Sequence, residues 1–200
     1  EGKTFGEIKV YEITDANLWA HIFSGTFQVQ PHQRVRLDLV GEYGLLNFPR
    51  HSDSSFFDRR VKAEVRLAHT SWLIHRLGWA YQFREYDTRG ARDSAGDRLA
   101  GLVREDQRHT LLYEWQMRFP KTSVRIGVEG YRNFSNDQLE EFYDWDDLRL
   151  RGSLTRAFGT KWAGVLAASQ EWKHYQKRSV PTINVAERDI LSTLAGSVLY

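Results

Sequence analysis

Residues 34–48, RVRLDLVGEYGLLNF, constrain the fold of this chain more than any other stretch, because apolar and charged residues alternate along them. One parity carries apolar side chains and the other carries charges: Val35, Leu37, Leu39, Tyr43 and Leu45 against Arg36, Asp38 and Glu42. Successive side chains of a β-strand point to opposite faces, so a period of two over this length indicates a strand rather than a helix. The stretch therefore predicts a strand with one apolar face and one charged face.

The same pattern recurs along the chain and predicts ten strands. We place them at 4–13, 18–30, 34–48, 58–72, 77–87, 107–119, 123–134, 146–158, 162–175 and 186–200. Each run is near or above the ~9–11 residues that a tilted strand needs to cross a bilayer, whereas strands of soluble proteins are most often about 5–6 residues long. The lengths of the runs favour a transmembrane sheet.

The connections between these runs alternate in length. Short turns are predicted at 31–33, 73–76, 120–122 and 159–161, and long polar loops at 49–57, 88–106, 135–145 and 176–185. The one departure is the first connection, 14–17, which is short although it falls on the long-loop side. Outer-membrane barrels carry short periplasmic turns at one end and longer extracellular loops at the other. We therefore predict an all-β fold, a transmembrane antiparallel up-and-down β-barrel of about ten strands, in one domain over 1–200.

Composition favours a membrane sheet over a soluble domain. The chain has 7 Trp, 9 Tyr and 11 Phe, yet its mean hydropathy is −0.56. Both values are expected when lipid-facing and inward-facing residues alternate, since averaging over the two faces hides the apolar one. No apolar run reaches the roughly 18 residues of a membrane-spanning helix.

Charge and cysteine usage exclude several kinds of function. Lys and Arg number 28 against 26 for Asp and Glu, a net charge of +2, so no nucleic-acid partner is indicated. The absence of cysteine excludes disulfides, thiolate metal sites and a cysteine nucleophile. The strand pattern begins almost at the first residue, which is compatible with upstream strands or a periplasmic domain outside these 200 residues.

Large aromatic side chains fall on the apolar parity of the predicted strands. We expect seven of them to lie at the lipid interface: Trp19, Trp79, Tyr81, Tyr113, Trp115, Trp162 and Trp172. Trp162 and Trp172 are ten residues apart, which at ~3.3 Å per residue and a tilt near 40° is about 25 Å along the membrane normal. This is the spacing of two aromatic girdles. A soluble barrel that turned these rings inward would be overfilled.

Charged side chains occupy the opposite parity of nearly every strand. Ten are basic and seven acidic: Glu7, Lys9, Arg36, Asp38, Glu42, Lys62, Glu64, Arg66, Arg84, Glu114, Arg118, Arg125, Glu129, Arg149, Arg151, Glu171 and Lys173. One interpretation is a mutually neutralising network that fills the lumen, and this is favoured if the barrel closes at ten strands. The other is a passage for anionic solutes, favoured by the basic excess.

Candidate catalytic and metal-binding residues are few. The segment 51–55 holds His51, Ser52 and Asp53, but sequence neighbours do not form a catalytic triad without a scaffold that orients them. Asp144, Asp146 and Asp147 cluster near the predicted extracellular rim, where His174 is also expected. This group suggests either a carboxylate–histidine or divalent-cation site or, more simply, a solvated acidic loop. We predict no catalytic residue, no metal site and no cofactor.

The longest predicted loop, 88–106, is basic. It contains Arg89, Arg92, Arg98 and Arg104 together with three glycines, and we expect it to be mobile. Its charge suits contact with anionic lipopolysaccharide at the outer surface, and it equally suits a loop that only needs to stay solvated.

Over its whole length the chain resembles the bacterial outer-membrane β-barrel superfamily. The resemblance rests on the alternation, the asymmetry of turns and loops, the aromatic girdles, and a last strand with Leu194, Gly196, Val198 and Tyr200 on one parity. It implies a location in the bacterial outer membrane, lipid contact, and recognition of the C-terminal strand by the barrel-assembly machinery. Ten strands is also the number found in omptin proteases, but their Asp-x-His pair has no counterpart in this sequence.

Three functions remain open within this class. The first, which we favour, is a channel or the pore component of a transport, export or conduit system with a charged, slightly cationic lumen. The second is an omptin-like or lipid-modifying hydrolase at the rim. The third is a structural anchor or adhesin with a plugged lumen.

Overall fold

The computed structural model describes residues 3–15, 18–50, 54–93, 95–137, 145–159, 161–179 and 186–199. These residues form one antiparallel sheet of ten strands that pair in chain order. The strands are β1 (Lys3–Asp15), β2 (Leu18–His32), β3 (Val35–Asn47), β4 (Phe56–Ala68), β5 (Leu73–Arg92), β6 (Arg98–Phe119), β7 (Thr122–Ser135), β8 (Trp145–Phe158), β9 (Trp162–Ser179) and β10 (Ala186–Leu199). The predicted all-β, up-and-down arrangement is confirmed.

The register between strands preserves the alternation seen in the sequence. Leu39 of β3 lies opposite Phe27 of β2 and Ala63 of β4, whereas its neighbour Asp38 lies opposite Gln28 and Glu64. Residues directly opposite one another in an antiparallel pair share a face. The sheet therefore has an apolar face and a charged face, and every pair of strands keeps the same two sets apart.

Strands β1 and β10 are the edges of the sheet that the structure describes. β1 pairs with β2 over its whole length, and β10 pairs with β9 with a single register shift between Ala186 and Arg188. Within the described residues, no helix has the length and apolar character needed to span a membrane.

Short reversals lie at one end of the sheet, as predicted, with one turn displaced. The reversals at 33–34, 69–72, 120–121 and 159–161 are short and lie at one end, which we call the turn end. The prediction of a turn at 73–76 was wrong, because β5 already begins at Leu73. The Thr70 hydroxyl accepts hydrogen bonds from the backbone N–H of Trp72 and Leu73, at 3.3 and 2.9 Å, and so places the reversal four residues earlier.

The predicted mobile loop at 88–106 was also wrong. β5 continues to Arg92 and β6 starts at Arg98, so only residues 93–97 connect them. The Asp93 carboxylate closes this turn by accepting hydrogen bonds from the backbone N–H of Ala95 and Asp97, both at 2.9 Å. Both faces of this hairpin extension mix polar and apolar residues, so the sequence there lacks the alternation by which a strand is recognised.

The apolar face carries large exposed side chains in the middle of the sheet. Leu39, Leu150 and Leu166 are 49, 44 and 51% exposed. On β8 the apolar stretch is bounded by Asp146 and Arg156, ten residues apart on the same face. At ~3.3 Å per residue and a tilt near 40°, this is about 25 Å along a membrane normal, the height of the apolar band of a transmembrane barrel.

Neighbouring substitutions on β3 test which face meets lipid. We expect Leu39→Arg to destabilise the protein folded in phosphatidylcholine vesicles by about 2–4 kcal/mol, because the charge enters the bilayer midplane. Val40→Arg, one residue along on the charged face between Asp38 and Glu42, is the matched control and should cost much less. Urea titration of the vesicle-inserted protein measures both values, and equal losses would contradict the assignment of faces.

Candidate functional site

The charged residues singled out in the sequence share one face of the sheet. The register places all fifteen members of the predicted network there: Arg36, Asp38, Glu42, Lys62, Glu64, Arg66, Arg84, Glu114, Arg118, Arg125, Glu129, Arg149, Arg151, Glu171 and Lys173. The seven predicted interface aromatics, Trp19, Trp79, Tyr81, Tyr113, Trp115, Trp162 and Trp172, all lie on the opposite face. The charged face is therefore the candidate functional surface.

Sequence reasoning missed several members of this face. The alternation along the observed strands also places the following charged residues on this face: Asp58, Arg60, Arg76, Arg104, Asp106, Arg108 and Asp147. Arg76 was missed because it was assigned to a turn, and Arg104 and Asp106 because they were assigned to a loop. Arg108 and Asp147 lay inside predicted strands on the charged parity, so the alternation alone would have found them.

Arg76 is the centre of the ion-pair network on this face. Its guanidinium donates to Glu64 of β4 through two nitrogens, at 2.8 and 2.9 Å, and to Glu114 of β6 at 2.8 Å. Lys62 adds a second cation to Glu64 at 3.1 Å. Glu64 and Glu114 are both buried, and a buried carboxylate is tolerated where cations and hydrogen-bond donors surround it. The network therefore links three neighbouring strands across the face.

A glycine lets the network reach β8. Glu114, Gly127 and Arg151 lie side by side on β6, β7 and β8. A Cβ at Gly127 would stand 3.3 Å from Nε of Arg151, so the bare backbone leaves a path for that side chain. Arg151 contacts Glu129 at 3.3 Å and reaches Glu114 at 3.9 Å.

The loop end of the same face, opposite the turn end, is filled by aromatic rings and cations. Arg84 lies 4.1 Å from the centre of the Phe56 ring, and Arg104 lies 4.7 Å from that of Tyr86. Lys173 lies 4.1 Å above Trp145, a buried ring on the charged parity. Each contact places a cation over the face of an aromatic ring, which is a favourable arrangement.

Arg104, expected in a mobile basic loop, is instead buried at this end. It is 3% exposed and pairs with Asp106 at 2.7 Å. Its guanidinium therefore is not available to meet lipopolysaccharide. A cavity of about 150 Å³ remains among these side chains.

Small side chains leave open space at the other side of the face. Ala167 and Ser169 of β9 and Thr193 and Ala195 of β10 lie on the charged parity beside Arg76, Glu114, Arg125 and Arg151. Together these residues line a cavity of about 370 Å³. At roughly 30 Å³ for each water, this volume would hold about a dozen water molecules. The face is thus filled unevenly, with large charged groups on one side and a gap on the other.

The candidate rim site is not assembled in the described residues. Asp146 lies on the apolar face with Arg132 at 3.2 Å, whereas Asp147, the next residue, lies on the charged face. His174 is opposite Asp146, so Asp147 does not join them. Asp144, the segment 51–53 with His51 and Asp53, and Tyr200 lie outside the described residues. In the part of the chain that the structure describes, no group of three side chains is arranged to hold a metal ion.

Removing one buried carboxylate tests whether the network stabilises the sheet. We expect Glu114→Gln to lower the free energy of unfolding by about 1–3 kcal/mol, because Arg76 and Arg151 lose an anion that is only 7% exposed. Glu42→Gln is the matched control on the same face, and we expect about 0–1 kcal/mol, since Glu42 is 39% exposed and 3.8 Å from Arg60. Urea unfolding in detergent micelles compares the two variants, and a larger loss for Glu42→Gln would refute this ranking.

Comparison with known proteins gives a fold and no close relative. No family model matches the chain, and no curated protein matches its sequence. A point variant of the ferric enterobactin receptor PfeA from Pseudomonas aeruginosa superposes on 98% of this chain with a TM-score of 0.55 at 8% identity. The copper transporter OprC and the porin NanC give TM-scores of 0.46 and 0.47 at 12 and 11% identity.

The neighbours differ in how much of their own length is matched. This chain covers 36% of PfeA and 37% of OprC, so it spans little more than a third of those proteins, whereas it covers 92% of NanC. PfeA is an outer-membrane receptor, in agreement with the predicted location. At these identities the likeness establishes architecture alone, and the PfeA superposition carries it. The chain has the fold of the bacterial outer-membrane β-barrel proteins.

Proposed function

We propose that this chain forms the wall of a solute channel in the outer membrane, with its charged face lining the passage. The observation that supports the proposal is the cavity of about 370 Å³ between the ion-pair network and the small side chains of β9 and β10. A plugged lumen would place large side chains at these positions. Here Ala167, Ser169, Thr193 and Ala195 leave room for water and small solutes.

The balance of charge on this face favours anions over cations. Several basic side chains have no carboxylate opposite them. The residues that the register adds to this face, beyond those predicted from the sequence, include four arginines and three acids. In a narrow, low-dielectric passage, an excess of one sign raises the local concentration of the opposite ion. A weakly anion-selective channel is therefore the function that this geometry supports best.

Current measurements test the proposal directly. The whole chain, folded and inserted into planar phosphatidylcholine bilayers, should give discrete current steps in KCl that empty bilayers lack. In a KCl gradient the reversal potential should have the sign of a chloride preference, because the basic excess lines the passage. Protein that is inserted, as judged by circular dichroism and protection from protease, yet carries no current would overturn the channel. A cation preference would overturn the role given to the charged face.

A further inference from the structure

A row of arginines crosses the charged face at the turn end. Arg36 of β3 lies opposite Arg66 of β4, and Arg66 lies opposite Arg76 of β5. Arg118 and Arg125 lie beside this row on β6 and β7. We call these five residues the arginine cluster. Like charges directly opposite one another destabilise a sheet, so a row of three arginines requires anions to neutralise it.

Acidic side chains neutralise only part of the arginine cluster. Arg36 donates to Asp38 at 2.8 and 2.9 Å, and Arg76 is held by Glu64 and Glu114. Within the described residues Arg66 and Arg125 form no ion pair, and Arg118 donates only to the Gln116 side-chain oxygen at 3.4 Å. Three guanidinium groups therefore converge on one place without a carboxylate of their own.

The arginine cluster surrounds a cavity that is open to the passage. The five arginines line a space of about 210 Å³ with Asp38, Glu64 and Gln116. At roughly 30 Å³ per water this holds about seven waters, or one small oxyanion with part of its hydration shell. Arg76 and Arg125 also line the cavity of about 370 Å³, so the two spaces adjoin. A solute in the larger cavity would have direct access to the unpaired arginines.

We propose that the arginine cluster is a binding site for the multivalent oxyanion of a small solute, with Arg66, Arg118 and Arg125 as its ligands. Guanidinium groups bind phosphate-type oxyanions through paired, charge-assisted hydrogen bonds, and three of them match a group with several charged oxygens. The anion would also relieve the repulsion along the row. Describing that anion as a permeating solute rests on the proposed function, whereas the binding site itself does not.

Titration with pyrophosphate tests the arginine cluster without requiring an open pore. Calorimetry on the whole chain in dodecyl maltoside, at constant ionic strength set with KCl, should show saturable binding and a rise in the thermal midpoint. Arg66→Gln with Arg125→Gln should weaken binding by about tenfold or more, because two charge-assisted contacts are lost. This double variant should fold at least as well as the parent, since it removes like-charge repulsion.

Arg60→Gln is the matched control. It removes one positive charge from the same face, where the double variant removes two, and it does so at the loop end, where Arg60 is 3.8 Å from Glu42. Its affinity for pyrophosphate should stay within roughly twofold of the parent, because only general electrostatics change at that distance. An equal loss in both variants, or no saturable binding by the parent, would overturn the site.

The outcomes separate this inference from the proposed function and from a lipid ligand. If the chain binds pyrophosphate but carries no current, the proposed channel is refuted and the proposed binding site stands. If the chain conducts but does not bind pyrophosphate, only the proposed binding site is refuted. Phosphatidic acid in the micelles offers the same phosphate chemistry on a lipid, and stabilisation by this lipid without stabilisation by pyrophosphate would overturn the assignment to a solute.

Discussion

The structure depends on one constraint, which is that hydrocarbon offers no hydrogen-bond partner to a peptide group. A strand that crosses a membrane must therefore pair along its whole length with its neighbours. Because side chains alternate with a period of two, a slip of one residue would turn every charged side chain of a strand to the apolar face. The pairing of the ten strands in chain order follows from this, and so does the separation of the two faces.

The charged face meets a second demand, since ions that leave bulk water must find partners. Arg76 does so through Glu64 and Glu114, and Gly127 lets Arg151 extend the network to another strand. At the loop end, aromatic rings act beside the carboxylates, as in the contact between Lys173 and Trp145. The arginine cluster is the exception, because there the sheet supplies fewer anions than cations. A bound oxyanion from outside the chain completes the same pattern.

Much of this architecture could be predicted from the sequence, and the failures share a cause. The alternation at 34–48 correctly predicted that Leu39 and Asp38 lie on opposite faces, because one face of that strand is apolar. The hairpin extension of β5 and β6 mixes polar and apolar residues on both faces, so no alternation there predicts a strand that contains Arg104. The partners of Glu114 and the row of Arg36, Arg66 and Arg76 depend on register between strands. Register is set by many side chains at once, and no single strand encodes it.

The central claim is that the apolar face meets lipid while the charged face lines an aqueous passage. The chain contains no cysteine, so single cysteines can be placed at successive positions of β3 and labelled without any reaction at a native thiol. Cysteines at 37, 39 and 43, carrying an environment-sensitive fluorophore, should be quenched by nitroxide lipids in vesicles. Cysteines at 38, 40 and 42 should instead be quenched by aqueous iodide and modified by a membrane-impermeant maleimide. This alternation with a period of two is the result we expect, and its absence, or the opposite phase, would contradict the account.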